Sequence, residues 1–456
     1  MGYNNSMKQL KILIVGAGPS ACYVVDALTK TQLPLTIDMI DRYPQPLGLL
    51  RTGVAPDHER IKSLDSYFNK ILDQAPLNFY GNVSFGKDIV LDDVKNAYHA
   101  IFFCTGTESD NPVPGLDYTL VNVTGSRDVV EWYNGYESNR TQFIPELLGS
   151  SVGIIGMGNV ALDIARILLK NPQELAKTEM PQACIDMIQN QAVSDVYIFA
   201  RRGPAQAKCT PLELEELLDL ANVQTIIYPS PIALSDTDQI EINEINRVQK
   251  NVNLFTSIKA NTTAKKRLHI YFYSQLKEVH TDADKLQAIT LAKTILSGEP
   301  HHQQTTLSDE TYHINLDSLI TSTGYKGAAL PGIVFNEKTH CIPHESGKIT
   351  TQPPSLASYY CAGWIKRGPQ GVIGTNKAGA KESVDSFVND VEHMYSKQLH
   401  DFNLGNHLKN KQCSYFSLEN WQTQNTYELS EGQKQNKKRL KLTQISDIEH
   451  CLKTKS

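Results

Sequence analysis

Residues 11–28 read KILIVGAGPSACYVVDAL: an apolar run, a glycine turn, then a second apolar stretch with helical spacing. The turn, Gly16-Ala17-Gly18-Pro19-Ser20-Ala21, has the G-x-G-x-x-A form that joins a buried strand to a helix. Gly16 permits the tight turn, Gly18 lets the backbone approach a pyrophosphate, and Ala21 lets helix and strand pack closely. The helix N-terminus then offers unpaired N–H groups to phosphate. About twenty residues on, where the pattern needs an acid, residues 35–41 (LTIDMID) form a second strand ending in Asp41. Its carboxylate can accept hydrogen bonds from a ribose hydroxyl. A glycine turn alone is weak evidence. Strand, turn, helix, strand and acid in this order predict a dinucleotide site.

The pattern returns at residues 151–169, SVGIIGMGNVALDIARILL, with Gly156-Met157-Gly158-Asn159-Val160-Ala161 at its turn. The next strand, within residues 193–204 (VSDVYIFARRGP), ends in Arg201 and Arg202 instead of an acid. Guanidinium forks match phosphate geometry, whereas a bare ribose hydroxyl would leave two cations without a partner. The first site therefore suits the ADP half of FAD, and the second the 2′-phosphate of NADP. Two nucleotide signatures predict an α/β chain with two Rossmann-like dinucleotide-binding domains, and hydride transfer between their ligands.

A chain of 456 residues has room for two or three domains. A net charge of -5 argues against nucleic acid as the main partner, because phosphate binding leaves a basic footprint. No apolar run reaches the roughly 18 residues of a membrane span, so no membrane is expected. The short polar leader reads as neither a signal nor a transit peptide. Eight scattered cysteines without a C-x-x-C pair fit reduced thiols in a cytoplasmic protein, and supply no dithiol redox centre. No His/Cys cluster has metal-ligand spacing, and His301-His302 reads as a solvated loop.

Residues 100–109 (AIFFCTGTES) and 316–327 (LDSLITSTGYKG) each run a strand into Thr-Gly, as crossings between domains would. In residues 359–391 a strand gives way to Gly363-Trp364, a Gly/Pro-rich loop, and a long helix expected to start near Gly371. A helix N-terminus carries roughly half a positive charge, suited to a flavin that gains negative charge on reduction. Trp364 offers the ring a flat wall.

With these residues in view, the chain resembles the adrenodoxin reductase family of ferredoxin–NADP reductases, particularly its bacterial branch. The resemblance runs nearly end to end, through GAGPSA, YPQPLGLLRTGVAPDH, GNVSFGKD, GMGNVALDIARILL, ARRGPAQAKCTPLELEEL, STGYKG and GWIKRGPQGVIGTNK. The tail, with Trp421 and Glu428, is similar to the C-terminal extension of bacterial members. The resemblance implies an FAD domain in two pieces, residues 8–112 and 329–399, with an NADPH domain (113–328) inserted and an extension (400–456). Beside Gly16 and Gly18, FAD contacts would fall on Ser20, Asp41, Leu49, Phe85, Trp364, Gly371, Val372 and Ile373. NADPH contacts would fall on Gly158, Asn159, Val160, Arg201, Arg202, Glu213 and Gly371. Around the reactive rings the family pattern places His58, Glu216 and Asp163. Hydride passes directly between rings, so these side chains fix pose and electrostatics and need no nucleophile.

The implied electron acceptor is an acidic, ferredoxin-type iron–sulfur protein, bound transiently. One departure affects it: Glu215 stands where relatives carry an arginine that helps dock this partner. Residues 245–270 offer replacement charge, with Arg247, Lys250, Lys259, Lys265, Lys266 and Arg267 and no acid. Two other activities stay open at this point, an NADPH diaphorase or quinone reductase and a non-catalytic NADPH-binding sensor.

Overall fold

The computed structural model describes residues 9–136, 143–351 and 354–455. Lys8 and Ser456, the outer bounds of the expected segments, lie outside the described residues. The first sheet combines β1 (Leu10–Val15), β2 (Leu35–Asp41), β3 (Leu77–Gly81), β4 (Ala100–Phe103) and the late β16 (Ser358–Cys361). Its order is β16-β4-β1-β2-β3, parallel throughout. Parallel sheets are covered on both faces, which is why β4 is a continuous apolar run and β1 is one from Ile12 onward. The second sheet contains β6 (Val123–Gly125), β7 (Ser151–Ile155), β8 (Asp195–Phe199), β9 (Val223–Tyr228), β10 (Lys266–Tyr271) and β14 (Ser318–Thr321). It is also parallel, in the order β6-β14-β7-β8-β10-β9.

Both sheets use one device. β2 and β4 flank β1, as β8 and β14 flank β7, so strand order reverses where each glycine turn begins. Open α/β sheets bind ligands in the crevice at such a reversal. The turns pass so close to the neighbouring strand that only glycine fits. Gly16 has φ +100, and a Cβ there would lie 2.6 Å from the carbonyl oxygen of Cys104, just after β4. Gly156 has φ +133, and a Cβ there would lie 2.1 Å from the carbonyl oxygen of Ser322, just after β14. The expected pair of Rossmann-like halves is present.

The two crossings run side by side: β5 (Ser109–Asp110) and β15 (Tyr325–Lys326) form an antiparallel ribbon. Between β10 and β14 lies an antiparallel meander of β11 (Ser274–Asp282), β12 (Lys285–Ser297) and β13 (Gln304–Asn315). The C-terminal extension packs onto the first sheet. Phe416 bridges to Gly81 at the end of β3, and Trp421 is buried in the same core as β1. No helix of the described residues is long and apolar enough to cross a membrane.

One expectation changes. The long helix is Asn376–Tyr395, not one that begins near Gly371; Gly371 has φ +79, and a 3-10 turn, Ile373–Thr375, intervenes. The basic stretch 245–270 is a helix, Asn246–Thr256, followed by β10, and three of its six basic side chains bond to neighbouring groups of the fold. Arg247 donates to the carbonyls of Ala207 and Cys209, half-buried Lys266 to that of Leu168, and Arg267 pairs with Asp195 at 2.6 Å. Arg247, Lys250, Lys259, Lys265 and Arg267 are all exposed, and only Lys266 is half-buried. His301 and His302 are exposed in a loop, as expected, with the His301 ring 2.8 Å from Glu244 and its backbone N–H donating to Glu241.

Candidate active site

The first glycine turn is tied down by the acid one strand away. Asp41 accepts from the Ala17 N–H at 2.6 Å and the Tyr43 N–H at 2.9 Å, so it joins the end of β2 to the turn. Burial raises its carboxyl above the ordinary range, although both backbone bonds pull the other way. Each carboxylate oxygen keeps a lone pair for a further donor. Ser20, in the first helical turn, meets the late segment: a Cβ on Gly363 would lie 2.6 Å from the Ser20 Cβ. Gly18 faces another glycine, Gly48, whose added Cβ would stop 2.8 Å from the Gly18 Cα.

On the second sheet, Gly158 caps the Asn159–Leu169 helix, and a Cβ there would meet nothing within 4 Å. The space in front of that helix N-terminus is open, as a phosphate cradle requires. Asn159 accepts from the Thr210 N–H at 2.8 Å, which draws the Pro211–Leu218 helix to the turn. That helix carries buried Glu213 and exposed Glu216. Burial raises the Glu213 carboxyl, and its Oε2 has no protein partner. Arg201 is exposed just beyond β8, whereas the Arg202 Nε is buried and also lacks a protein partner.

His58, Asp163 and Glu216 do come together. The His58 Nε2 lies 2.8 Å from Asp163 Oδ1, and its Nδ1 lies 3.5 Å from Glu216 Oε2. Sequence reading missed the group that organises them. Arg166, 1% exposed, donates to Asp163 at 2.8 Å and clamps Asp57 with two bonds of 2.9 and 2.8 Å. Lys170 also reaches Asp57 at 2.8 Å. The signal was present: Asp163, Arg166 and Lys170 fall at helical spacing on one face. Burial would raise the Asp57 carboxyl, but Arg166 and Lys170 hold it well below the usual carboxylate range. Burial would lower the His58 imidazole, but the Asp163 hydrogen bond and charge outweigh it, and the net shift is upward. Three carboxylates then face Arg166, Lys170 and an imidazolium, so the cluster is neutral when His58 is protonated.

That shift has a measurable sign. The folded-state pKa of His58 lies above its ordinary 6.5, so its protonation stabilises the fold below about pH 6.5 and the gain disappears as pH rises through the raised value. The stability difference between wild type and His58→Gln should be larger near about pH 6 than near about pH 9. Urea midpoints across that range test it, and a difference that grows with pH would contradict it.

The other residues expected to meet FAD lie in several elements. Phe85 packs edge-on against Phe103 at 5.5 Å, and Trp364 lies 6.3 Å from Tyr325 with its indole N–H buried and without a protein partner. Leu49 starts a one-turn helix, Leu49–Thr52. Gly371 and Val372 are exposed, and Ile373 is half-buried against the first core. Arg367, also missed from sequence, donates to Asn376 at 2.9 Å, and its Nη1 is buried without a partner at the start of the long helix. The unpartnered polar atoms of Arg202, Glu213 and Trp364 all belong to expected cofactor residues. Together with the open glycine cradle, they fit FAD and NADPH.

Paired glycine turns, an acid after one and arginines after the other, define a flavin- and pyridine-nucleotide-linked oxidoreductase. The chain is 31% identical to NADPH-ferredoxin reductase FprA of Mycobacterium tuberculosis, over 97% of this chain and 99% of that protein. It is 32% identical to mitochondrial NADPH:adrenodoxin oxidoreductase of Arabidopsis thaliana, over 97% and 95%. The solved structure of Mycobacterium tuberculosis FprA in complex with NADPH matches with a TM-score of 0.89 at 29% identity, covering 97% of this chain and 99% of that one. No family model matches the chain. The chain belongs to the adrenodoxin reductase family of ferredoxin–NADP reductases.

Proposed function

We propose that the protein oxidises NADPH and delivers the electrons through bound FAD to an acidic, ferredoxin-type iron–sulfur protein that docks transiently. The observation that carries this reading is the asymmetry of a repeated fold: Asp41 closes one nucleotide crevice, and Arg201 and Arg202 stand at the matching place in the other. In this reading residues 8–112 and 329–399 form the FAD domain, 113–328 the NADPH domain, and 400–456 an extension that braces both. The late arrival of β16 in the first sheet supports that division. A cytoplasmic location accords with eight free cysteines, six of them buried.

Bound FAD would supply the chemistry, a site for hydride from NADPH and for one-electron release. The chain's own residues supply the setting. Gly16, Gly18, Ser20 and Asp41 would hold the ADP half of FAD, and Leu49, Phe85, Trp364, Gly371, Val372 and Ile373 would supply its further contacts. Gly158, Asn159, Val160, Arg201, Arg202 and Glu213 would hold NADPH, and Gly371 would contact both nucleotides. His58 is held by Asp163 on one nitrogen and faces Glu216 on the other, so its orientation is fixed, while Glu216, 3.7 Å from Arg166 and 41% exposed, keeps an open side for a ligand amide. Arg166 and Asp57 keep the charges of this cluster in balance through the reaction.

The purified protein should be yellow, and acid should release FAD rather than FMN, because the Gly16 turn with Asp41 is built for an adenosine half that FMN lacks. Chromatography of the released flavin checks this. FMN alone, or a colourless protein that does not take up FAD, would overturn the reading.

A further inference from the structure

The turn that carries Arg201 and Arg202 is gripped from outside its own strand. Ala200, Arg201 and Arg202 present three consecutive carbonyls, and each accepts a bond from the chain beyond β10. Ser274 N–H donates to Ala200 at 2.9 Å, the Thr294 hydroxyl to Arg201 at 2.6 Å, and Tyr273 N–H to Arg202 at 3.3 Å. Tyr273 makes this reach by adopting φ +53, a left-handed conformation uncommon for a bulky residue. Its phenol closes over the turn, since a Cβ on Gly203 would lie 2.3 Å from the Tyr273 hydroxyl oxygen. Thr294 arrives through a break in the ladder: the β12–β13 register shifts between Ala292 and Thr294, and a bulge re-aims the side chain that follows it. The Thr294 N–H then donates to Tyr273 at 2.8 Å while its hydroxyl reaches Arg201, and the residue is 2% exposed.

We propose that Thr294 is a positioning residue for the 2′-phosphate of NADPH, and that through it the β11–β13 meander sets preference for NADPH over NADH. The proposal rests on the reading of Arg201 and Arg202 given above. No carboxylate among the described residues pairs with either arginine, so backbone direction aims their side chains. Bidentate recognition of phosphate is directional, and a small rotation of the Arg201 peptide is enough to misplace the fork. Thr294 fixes that peptide by its carbonyl.

The test is Thr294→Val, which keeps the shape and removes the donor, compared with Thr294→Ser, which keeps the hydroxyl. Calorimetric titration of the FAD-loaded proteins with adenosine 2′,5′-bisphosphate and with adenosine 5′-monophosphate reads the 2′-phosphate directly. Valine should weaken the bisphosphate about tenfold with little effect on the monophosphate, and serine should restore it to within about twofold. Thr294→Ala, which asks less of the packing, gives the same reading if the valine protein does not accumulate. Unchanged bisphosphate binding, equal losses with both ligands, or a serine variant as weak as valine would overturn the proposal. Arg201→Ala/Arg202→Ala is titrated alongside. Discrimination lost there but kept in Thr294→Val overturns this inference alone; discrimination kept in both overturns the nucleotide assignment as well.

Discussion

Replacing Arg201 and Arg202 together with alanine is expected to weaken NADPH by about 100-fold or more, at roughly 10- to 100-fold per charge-assisted contact. NADH should lose far less, because it has no 2′-phosphate. The structure favours a clean result. The carbonyls from Ala200 to Arg202 stay bonded to Ser274, Thr294 and Tyr273 whatever side chains the turn carries. Neither arginine has an ion-pair partner among the described residues to leave stranded. The flavin spectrum should be unaltered, since Asp41 and the Gly16 turn belong to the other sheet. Steady-state KM values for both nucleotides measure the ratio. Equal losses with NADPH and NADH would make the arginines structural.

Glu428→Leu is expected to cost about 3–5 kcal/mol of stability, the range for stripping one partner from a buried ionic cluster. Glu428 is 0% exposed and accepts from Arg51 at 2.8 and 2.5 Å, from Arg439 at 2.8 Å, from Gln424 at 2.7 Å and from the Leu442 N–H at 2.8 Å. Its loss leaves the buried Arg51 guanidinium without a carboxylate partner and Arg439 with Asp65 alone. Burial would raise the Glu428 carboxyl, but Arg51 and Arg439 outweigh it and the net shift is downward. Its contribution is therefore full above the ordinary carboxyl value near 4.5 and is lost as pH falls through the lowered one. Because Arg51 lies in the same helical turn as Leu49, FAD retention should fall with stability. Urea denaturation of the two proteins decides the matter. A change below about 1 kcal/mol would place the cluster among ion pairs that only break even with water.

The parts of this molecule legible in its sequence are those whose constraint is local. Gly16 and Gly156 announce themselves because no other residue tolerates their φ beside a neighbouring carbonyl. Arg201 and Arg202 stand out because the strand before them fixes which end of the sheet they reach. The Arg166 cluster was hidden because its members come from residues 57–58 and 163–170, and only packing makes them neighbours. The basic stretch shows the same effect in reverse. A sequence shows charge on Arg247 and Arg267 but not the carbonyls of Ala207 and Cys209 or the Asp195 carboxylate that take it up. The helix start slipped from Gly371 to Asn376 because the capping bond there, Val372 N–H to Thr375, closes a 3-10 turn first.

The most direct measurement mixes the FAD-loaded protein with NADPH and a ferredoxin from the same organism under anaerobic conditions, while flavin and iron–sulfur absorbance are followed together. The account predicts that NADPH bleaches the flavin, that ferredoxin reduction follows, and that its rate falls as salt screens the acidic partner from the protein. Flavin that stays oxidised with NADPH, or that bleaches and then reduces none of the organism's ferredoxins, would contradict it.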